Sequence, residues 1–355
     1  MGWYQRLFWP ALRRFDAETV HERTLTALAL AQRWRLGRLG LRWLAGKRPS
    51  PPPISLFGLT FPNVLGIAAG FDKDVRVAAG LAALGFGHVE VGTLTPRPQA
   101  GNPRPRIFRL PDDAALINRM GFPNGGVKAA LPRLQALHNR DFVLGVSLGK
   151  QKETPLADAV GDYVQVMTAV YPTADYLAVN ISSPNTPGLR ELQGSDYLGQ
   201  LLRALHAENG RLAAAHAHSR RPLLVKIAPD LDWDELDEIL TAVQDHQIDG
   251  VIATNTTLSR KGLRDSHRTE SGGLSGRPLR RRSTEIIAHI IRQTGGKLPV
   301  IGVGGVQTVA DVQEKLDAGA SLVQVYTGLV YQGPGMAGQI LRELAAQNPI
   351  RHTKT

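Results

Sequence analysis

The chain reads YLAVNISSPNTPG over residues 176–188, where an apolar strand runs directly into a dense cluster of amide and hydroxyl side chains. Two prolines restrict the backbone of this loop and a glycine permits its turn, so its polar groups are expected to share a small, fixed volume. A polar turn whose side chains bind only their own backbone is the alternative interpretation. An apolar strand followed by a polar or glycine-rich end recurs along the chain, which favours a functional site.

These strand ends belong to a regular alternation of strands and helices that begins near Pro62. Helical patterns fill most of the gaps, for instance over residues 233–247 and 308–318. The expected strands cover residues 64–68, 88–91, 143–148, 176–179, 223–227, 251–254, 300–303 and 322–325. Eight β-then-α units in series predict an α/β fold, a closed (β/α)8 TIM barrel. An open, doubly wound sheet is the alternative, because spacing alone does not prove closure.

Length, charge and cysteine content narrow the functional classes. At 355 residues the chain exceeds the roughly 250 residues of a typical α/β barrel, which leaves room for an appended segment. A net charge of +11 favours an anionic partner. The absence of cysteine excludes disulfides, thiolate-bound metals, iron–sulfur clusters and a cysteine nucleophile. Neither a membrane-spanning run nor a signal peptide is recognisable, so we expect the protein on the cytoplasmic side.

The first 48 residues are predicted to form a separate helical segment, with residues 49–355 as the catalytic barrel domain. This segment has 10 basic against three acidic residues and four of the chain's five tryptophans. Asp16 is a plausible helix cap, and one helical face after it collects Val20, Thr24, Ala27, Leu28 and Ala31. Such helices suit the headgroup region of an anionic membrane surface, and a helical cap packed on the barrel is the alternative. Residues 48–53 read as a stiff linker.

Strand ends at one face of a barrel are where active sites form, and polar groups of several kinds collect there. Lys73 and Lys226 can stabilise an anionic substrate group and a charge that develops during reaction, although each could instead be a solvated lysine of the rim. Four side-chain amides suit a flat, imide-like ligand because they donate and accept hydrogen bonds without titrating: Asn118, Asn180, Asn185 and Asn255.

Glycines after the last two strands indicate a phosphate site. Gly304, Gly305 and Gly328, with Gly276, let backbone N–H groups approach a phosphate, and two tight turns are the alternative. The long excursion over residues 95–126 is expected to form a rim or lid. No metal-binding histidine constellation, nucleophile elbow or carboxylate pair follows the strands, so no metal site is predicted and hydrolytic chemistry is disfavoured.

Several motifs in order resemble dihydroorotate dehydrogenase over nearly the whole chain. They are AGFDK (69–73), NRMGF (118–122), NISSPNTPG (180–188), IATNTT (252–257), GGLSGRP (272–278) and IGVGG (301–305). The resemblance is closest to the membrane-associated, quinone-dependent class, which carries an N-terminal helical extension and a serine base. Soluble relatives use a cysteine base, and one group works with an iron–sulfur partner subunit, so a chain without cysteine fits the serine class.

The resemblance implies oxidation of (S)-dihydroorotate to orotate in pyrimidine biosynthesis. It implies FMN as the hydride acceptor and a membrane quinone as the final electron acceptor. It further implies a monomer bound peripherally to the cytoplasmic face of the inner membrane.

The same resemblance assigns roles to individual residues. Ser183 is the implied base, with Thr186 and an ordered water as a candidate proton relay. The implied FMN contacts are Ala69, Gly70, Phe71, Asp72, Lys73, Thr93, Asn180, Lys226, Thr254, Gly276, Gly305, Tyr326 and Thr327. The implied substrate contacts are Lys73, Asn118, Arg119, Met120, Gly121, Phe122, Asn180, Asn185, Asn255 and Thr256. Ser147 stands where the family commonly has asparagine, and its shorter side chain reaches less far towards the flavin.

His21 and Arg109 match positions that line the family's quinone tunnel. A helix-face histidine and a charge of the barrel rim are the alternative interpretations of these two residues.

Two rival functions are compatible with a phosphate-binding barrel. One is another enzyme, such as a phosphosugar enzyme or a flavin reductase that acts on RNA, and the other is a membrane-docking module on an inactive barrel. No basic groove with interleaved aromatic residues is visible, so no nucleic-acid partner is expected. A yellow flavin spectrum that dihydroorotate bleaches would favour the dehydrogenase over both.

Overall fold

The computed structural model describes residues 2–46, 49 and 51–347. Eight parallel strands form a closed barrel: β1 Leu65–Ile67, β2 His88–Leu94, β3 Val143–Leu148, β4 Tyr176–Asn180, β5 Leu223–Ile227, β6 Gly250–Ala253, β7 Val300–Val303 and β8 Leu322–Val325. Each strand pairs with the next in the chain, and β8 pairs with β1. The predicted TIM barrel is therefore confirmed, and the open-sheet alternative is wrong.

Helices surround the barrel, and the first four in the chain precede its strands. They are α1 Trp3–Leu7, α2 Trp9–Leu12, α3 Ala17–Arg33, α4 Arg35–Ala45, α5 Ala78–Ala83, α6 Val127–Gln135, α7 Ala159–Val170, α8 Ser195–Ala215, α9 Trp233–Asp245, α10 Arg280–Gln293, α11 Val309–Asp317, α12 Thr327–Gln332 and α13 Met336–Gln347. The two helices named from the sequence are α9 and α11. Helix α9 begins at a capping box, in which Asp232 accepts from the Glu235 N–H (2.8 Å) and the Glu235 carboxylate accepts from the Asp232 N–H (2.9 Å).

The barrel interior is closed at the N-terminal ends of its strands by a hairpin of Ile54–Leu56 and Leu59–Phe61. Phe61 is fully buried, and its ring meets that of His88 edge-on at 5.5 Å between centroids. Phe57 packs so closely on Gly250 that an added Cβ there would lie 3.0 Å from its ring. This hairpin was not predicted, and the cavity onto which the strands open lies at the opposite end of the barrel.

The excursion over residues 95–126 is an ordered rim. Its strands Ile107–Leu110 and Ala115–Asn118 form an antiparallel sheet with Gly273–Gly276 from the loop after β6. In this register Asn118 pairs with Gly273 and Ala115 with Gly276. Two motifs that are about 150 residues apart in the chain are thereby joined beside the C-terminal ends of the barrel strands.

The N-terminal helices pack on the barrel through one side only. Asp16 caps α3 as predicted, accepting a hydrogen bond from the Thr19 N–H at 2.8 Å. Leu41 of α4 is buried against the barrel, whereas Leu39 and Trp43 of the same helix are exposed. In the described part of the chain, no helix is long and apolar enough to cross a membrane. The predicted segment boundary and the start of the linker fall on residues 47, 48 and 50, outside the described residues.

Candidate active site

A cavity opens at the C-terminal ends of the barrel strands and contains about 1000 Å³ of space, including open solvent at its mouth. It collects most of the residues that the sequence singled out. Those that line it are Ala69, Gly70, Lys73, Thr93, Asn118, Met120, Gly121, Phe122, Asn180, Ser183, Asn185, Lys226, Thr254, Asn255, Thr256, Gly276, Gly305, Tyr326 and Thr327. Residues from strand ends and from the rim thus meet in one place.

Three of the predicted FMN and substrate contacts do not line this cavity. The Asp72 carboxylate is buried and accepts hydrogen bonds from the N–H groups of Arg76 and Val77, at 2.7 and 2.8 Å. Phe71 turns its ring towards the N-terminal helices. Arg119 pairs with Glu270 outside the cavity, with 2.7 Å between Nη1 and Oε2. Asp72 therefore shapes the loop after β1, and none of the three side chains reaches the cavity.

The asparagines are held in place by one another and by neighbouring hydroxyls. Asn180 donates from Nδ2 to Thr93 Oγ1 (2.9 Å) and accepts at Oδ1 from Asn255 Nδ2 (3.3 Å). On the rim side, Asn185 donates from Nδ2 to Asn118 Oδ1 (3.3 Å). The four amides are thereby oriented before any ligand arrives, which lowers the entropy lost when one binds.

Ser147 lies behind the cavity wall. It is fully buried, and its hydroxyl is 2.9 Å from Thr93 Oγ1. Thr93 in turn accepts a hydrogen bond from Asn180. Ser147 therefore supports the network of amides indirectly, through Thr93.

The loop after β4 places the Ser183 hydroxyl inside the cavity. Ser183 Oγ accepts a hydrogen bond from the Asn185 N–H at 3.3 Å. Thr186 Oγ1 is buried and has no hydrogen-bond partner among the described residues. A buried hydroxyl without a protein partner is normally completed by water, so a proton acceptor beyond Ser183 is chemically reasonable here.

Arg190 fastens this loop and was missed by the sequence reasoning. Its guanidinium donates to the carbonyl oxygens of Ser182 (3.1 Å) and Thr256 (3.0 Å) and pairs with Asp230 (2.8 Å). One side chain thereby joins the loops after β4, β5 and β6. Its position two residues after Gly188 carries no motif that would have revealed this.

Lys226 belongs to a buried ion pair at the base of the cavity. Its side chain is 6% exposed, and Nζ lies 3.3 Å from Oε1 of Glu90, which is fully buried. The other Glu90 oxygen accepts from the Tyr176 hydroxyl (3.1 Å) and from Gln324 Nε2 (3.0 Å). Burial and the adjacent carboxylate raise the pKa of Tyr176, so its hydroxyl stays a donor. Glu90 and Gln324 were also missed, although a glutamate inside an apolar strand is a recognisable signal.

Lys73 is the second cation of the cavity, and its Nζ donates to the Gly70 carbonyl. Burial lowers the pKa of Lys73 to about 8, and the carboxylates of Glu22 and Glu18 on α3 oppose that shift. Lys73 therefore carries its charge at neutral pH and loses it in mildly alkaline solution. Both lysines line the cavity, which disfavours the interpretation of solvated rim lysines.

Glycines with left-handed backbones complete one end of the cavity. The φ angles are 99° at Gly276, 129° at Gly304 and 75° at Gly305, values that residues with a Cβ rarely adopt. Nearby, Ser275 Oγ and Thr327 Oγ1 are 2.8 Å apart. Peptide groups can approach a ligand closely here, as a phosphate site requires.

Two buried acceptors in the cavity wall test whether a polar cofactor fits. Thr256 Oγ1 and Gln324 Oε1 have no hydrogen-bond partner among the described residues. Buried polar atoms of this kind are normally satisfied, so a ligand or water is needed to complete them. Together with the fixed amides, the cations and the glycine end, they fit a planar, hydrogen-bonding cofactor that carries a phosphate.

Comparison with known proteins identifies the family. The model of the dihydroorotate dehydrogenase family matches residues 53–347. The chain belongs to the dihydroorotate dehydrogenase family. This confirms the resemblance drawn from the six motifs.

Relatives and solved structures agree with this membership. A dihydroorotate dehydrogenase (quinone) of Synechococcus sp. (strain JA-2-3B'a(2-13)) is 49% identical over 370 aligned positions, covering 98% of this chain and 95% of that protein. One of Chromobacterium violaceum is 51% identical, covering 95% and 96%. The crystal structure of DHODH from Eimeria tenella in complex with ferulenol has a TM-score of 0.82 and 38% identity, covering 89% of this chain and 92% of that one.

A second, apolar cavity lies between the N-terminal helices and the barrel of this family member, and we call it the channel. It contains about 1650 Å³ of space, including open solvent. The face predicted for α3 lines it in full, with Val20, Thr24, Ala27, Leu28 and Ala31. The predicted helical face is therefore confirmed, and it faces this channel.

His21 and Arg109 both line the channel. The His21 ring meets Phe71 edge-on at 5.1 Å, and burial, with the charge of Lys73, lowers the pKa of His21 to about 3. Arg109 donates to the carbonyls of Leu12 (2.9 Å) and Phe15, so it holds the turn between α2 and α3. His21 is thus neutral at physiological pH, and Arg109 is committed to backbone oxygens.

The channel and the active-site cavity share an aromatic wall. The rings of Phe71 and Tyr326 meet edge-on, 5.8 Å between centroids. Tyr326 lines both spaces, whereas Phe71 lines the channel alone. These two rings therefore lie between the active-site cavity and the apolar channel.

Proposed function

We propose that the protein oxidises dihydroorotate to orotate and passes the electrons by way of FMN to a quinone. The observation that carries the proposal is the convergence of four asparagines, Ser183 and two lysines on one cavity at the open end of the barrel. Relatives about 50% identical over nearly the full chain are named dihydroorotate dehydrogenase (quinone). No feature of the cavity favours the phosphosugar or RNA-directed alternatives over this activity.

The glycine end and the polar base of the cavity would hold FMN between them. Gly276, Gly305 and Thr327 would present backbone groups to its phosphate, and Thr93 and Lys226 would contact its ring system. Ala69, Gly70, Asn180, Thr254 and Tyr326 complete the proposed contacts. When bound, FMN supplies a ring that accepts a hydride from the substrate and gives electrons up to the quinone.

The rim side of the cavity would bind dihydroorotate. Asn118, Asn185 and Asn255 can match the alternating N–H and C=O groups of its ring, and Thr256 offers an unpartnered hydroxyl. Lys73 opposes the substrate carboxylate while it carries its charge. Met120, Gly121 and Phe122 form the cover over this end.

Ser183 acts as the base that takes a ring proton. The Asn185 N–H that points at Oγ stabilises negative charge as it develops on this oxygen. Thr186, through a water, offers the proton a route away. Because Arg190 ties the loop to Thr256, the base keeps a fixed position relative to the substrate amides.

The N-terminal segment, residues 1–48, would bring the quinone to the flavin. The channel is apolar and reaches the wall formed by Phe71 and Tyr326. Trp34, Leu36, Leu39 and Trp43 are exposed on the same helices, which also carry the excess of arginine. Such a surface favours peripheral binding to an anionic bilayer. From the family resemblance, the proposal adds that the protein binds at the cytoplasmic face of the inner membrane as a monomer, without a nucleic-acid partner.

Anaerobic titration of purified protein loaded with FMN tests the proposal. Dihydroorotate should bleach the flavin absorbance, orotate should only shift it, and a short-chain quinone should restore the oxidised spectrum. Fumarate and NAD serve as control acceptors and should leave the flavin reduced. The proposal would be contradicted if the protein did not retain FMN, or if the flavin stayed oxidised after dihydroorotate was added.

A further inference from the structure

A buried ion pair joins the N-terminal segment to the barrel. Glu18, near the start of α3, is 3% exposed, and Arg106, in the rim excursion, is 7% exposed. Arg106 Nε lies 3.1 Å from both Glu18 oxygens, and its Nη2 lies 2.7 Å from Oε1. Two charged hydrogen-bonding atoms on each side give this pair a fixed geometry, which exposed pairs rarely have.

The remaining donors of Arg106 organise the rim. Nη1 donates to the carbonyl oxygens of Ala100 (2.7 Å) and Asn102 (2.8 Å). The Arg106 carbonyl accepts from the Arg119 N–H at 2.9 Å. The guanidinium therefore holds residues 100 and 102, and the backbone carbonyl of the same residue binds the returning part of the excursion.

Asn102 extends these contacts to the proposed substrate residues. Its N–H donates to the Met120 carbonyl at 2.9 Å, and its Nδ2 donates to the carbonyls of Arg119 (3.0 Å) and Asn185 (3.1 Å). Met120 and Asn185 line the cavity, and Asn185 donates to Ser183 Oγ. The hydrogen-bonded contacts are thus continuous from α3 to the loop that carries the base.

We propose that Glu18 is a positioning residue for the dihydroorotate site, so that the helix which lines the apolar channel also sets the geometry of the substrate-binding rim. The inference rests on the proposed function. Without the carboxylate, Arg106 would be left with an uncompensated buried charge and would turn towards water. The Ala100 and Asn102 carbonyls would then lose their donor, and Asn102 would no longer hold Met120 and Asn185.

The test compares Glu18→Gln with Glu22→Gln in the full-length, FMN-loaded protein. Glu22 lies one turn further along α3, and its half-exposed carboxylate pairs with Arg76 at 2.9 Å. Both carboxylates act on the charge of Lys73, so the Glu22 variant controls for that electrostatic effect. The dissociation constant of orotate is measured from the perturbation of the flavin spectrum at pH 6.5, together with flavin content and the KM for quinone.

We expect Glu18→Gln to weaken orotate binding on the order of tenfold while flavin content and the quinone KM stay unchanged. Glu22→Gln should stay within about twofold of wild type, and Glu18→Asp should recover part of the loss. Wild-type orotate affinity in Glu18→Gln, or equal losses in both variants, would overturn the inference.

A second variant breaks the same contacts at their other end. Asn102→Ala leaves α3 and its ion pair in place and should weaken orotate binding to a similar degree. If Glu18→Gln does not fold, this variant decides, and unaltered orotate affinity in it would overturn the inference. A wild-type protein that binds no orotate at all would instead contradict the proposed function.

Discussion

The active-site cavity and the channel are neighbours with opposite designs. In the cavity almost every polar side chain has a named partner, as Asn180 has in Thr93 and Asn255. In the channel the wall is mainly aliphatic and aromatic, and His21 is kept neutral. The first arrangement selects one pattern of hydrogen bonds, whereas the second accepts an apolar molecule with little regard to detail. Changes in the lining of one space should therefore leave the chemistry of the other largely intact, except at Tyr326, which lines both, and at the Glu18–Arg106 pair, which joins the N-terminal segment to the barrel.

Removal of the base should give the largest effect and should be confined to the cavity. Ser183→Ala is expected to slow reduction of the flavin by dihydroorotate about 10²- to 10⁴-fold, because general-base catalysis contributes on that scale. Rapid mixing without oxygen measures this step, and reoxidation by quinone, measured separately, should be unchanged. Near-normal reduction would remove Ser183 from the mechanism.

The buried pair at the base of the cavity should govern stability. Glu90→Gln leaves the ammonium of Lys226 without its counter-charge, and breaking a buried pair in this way costs about 3–5 kcal/mol. Urea denaturation measures the loss, with FMN set for each protein at the same multiple of its own dissociation constant so that ligand stabilisation is equal. The double variant Glu90→Gln/Lys226→Gln should then recover most of the loss. Equal stability of the single variant and wild type would show that solvent compensates the pair.

Changes on the outer face of the N-terminal helices should act on membrane binding alone. Trp43 is 81% exposed, so Trp43→Ala removes little internal packing. Binding to anionic vesicles should weaken by about 2 kcal/mol, the order of magnitude for one large apolar side chain. Trp233→Ala changes a tryptophan on the barrel that is 40% exposed, and it should bind vesicles as wild type does. Identical vesicle binding for Trp43→Ala and wild type would contradict the membrane proposal.

The smallest expected effect comes from pH. Because the pKa of Lys73 is lowered to about 8, its charge is present below that pH and is lost above it. The KM for dihydroorotate should therefore rise about tenfold between pH 7 and pH 9, since each unit above the pKa removes nine tenths of the remaining cation. Lys73→Arg should abolish this rise, because a guanidinium keeps its proton throughout the range. A flat profile in the wild type would separate Lys73 from the substrate carboxylate.

The sequence predicted the barrel well because buried parallel strands are continuous apolar runs. Strands β3, β5, β7 and β8 have the predicted bounds, and β2 extends three residues further, to Leu94. The hairpin at the base was not predicted, because it falls between the expected linker of residues 48–53 and the first expected strand, and each of its own strands has only three residues. The hairpin packs on the N-terminal end of the barrel, and this end exists only after the chain has folded, so the local sequence does not reveal it.

Site residues were predictable where they lie at the end of a strand. They were missed where their role depends on contacts that form only when the barrel closes. Lys73, Asn180 and Ser183 occupy such ends and line the cavity. Glu90 and Arg190 act through partners that are 136 and 40 residues away in the chain, Lys226 and Asp230. The apolar strand around Glu90 marks this residue as unusual in the sequence, but no local pattern names either partner, so the three-dimensional arrangement is needed to reveal both roles.

The hairpin of residues 54–61 closes one end of the barrel, so solvent reaches the interior from the other end. A charge at the base of a cavity that is closed at one end acts through a medium of low effective dielectric constant. Burial there already lowers the pKa of His88 to about 4. Dissolved salt screens exposed arginines over about 8–10 Å, yet it barely reaches Lys226. Higher ionic strength should accordingly weaken binding of the protein to an anionic bilayer, while the rate of flavin reduction stays unchanged.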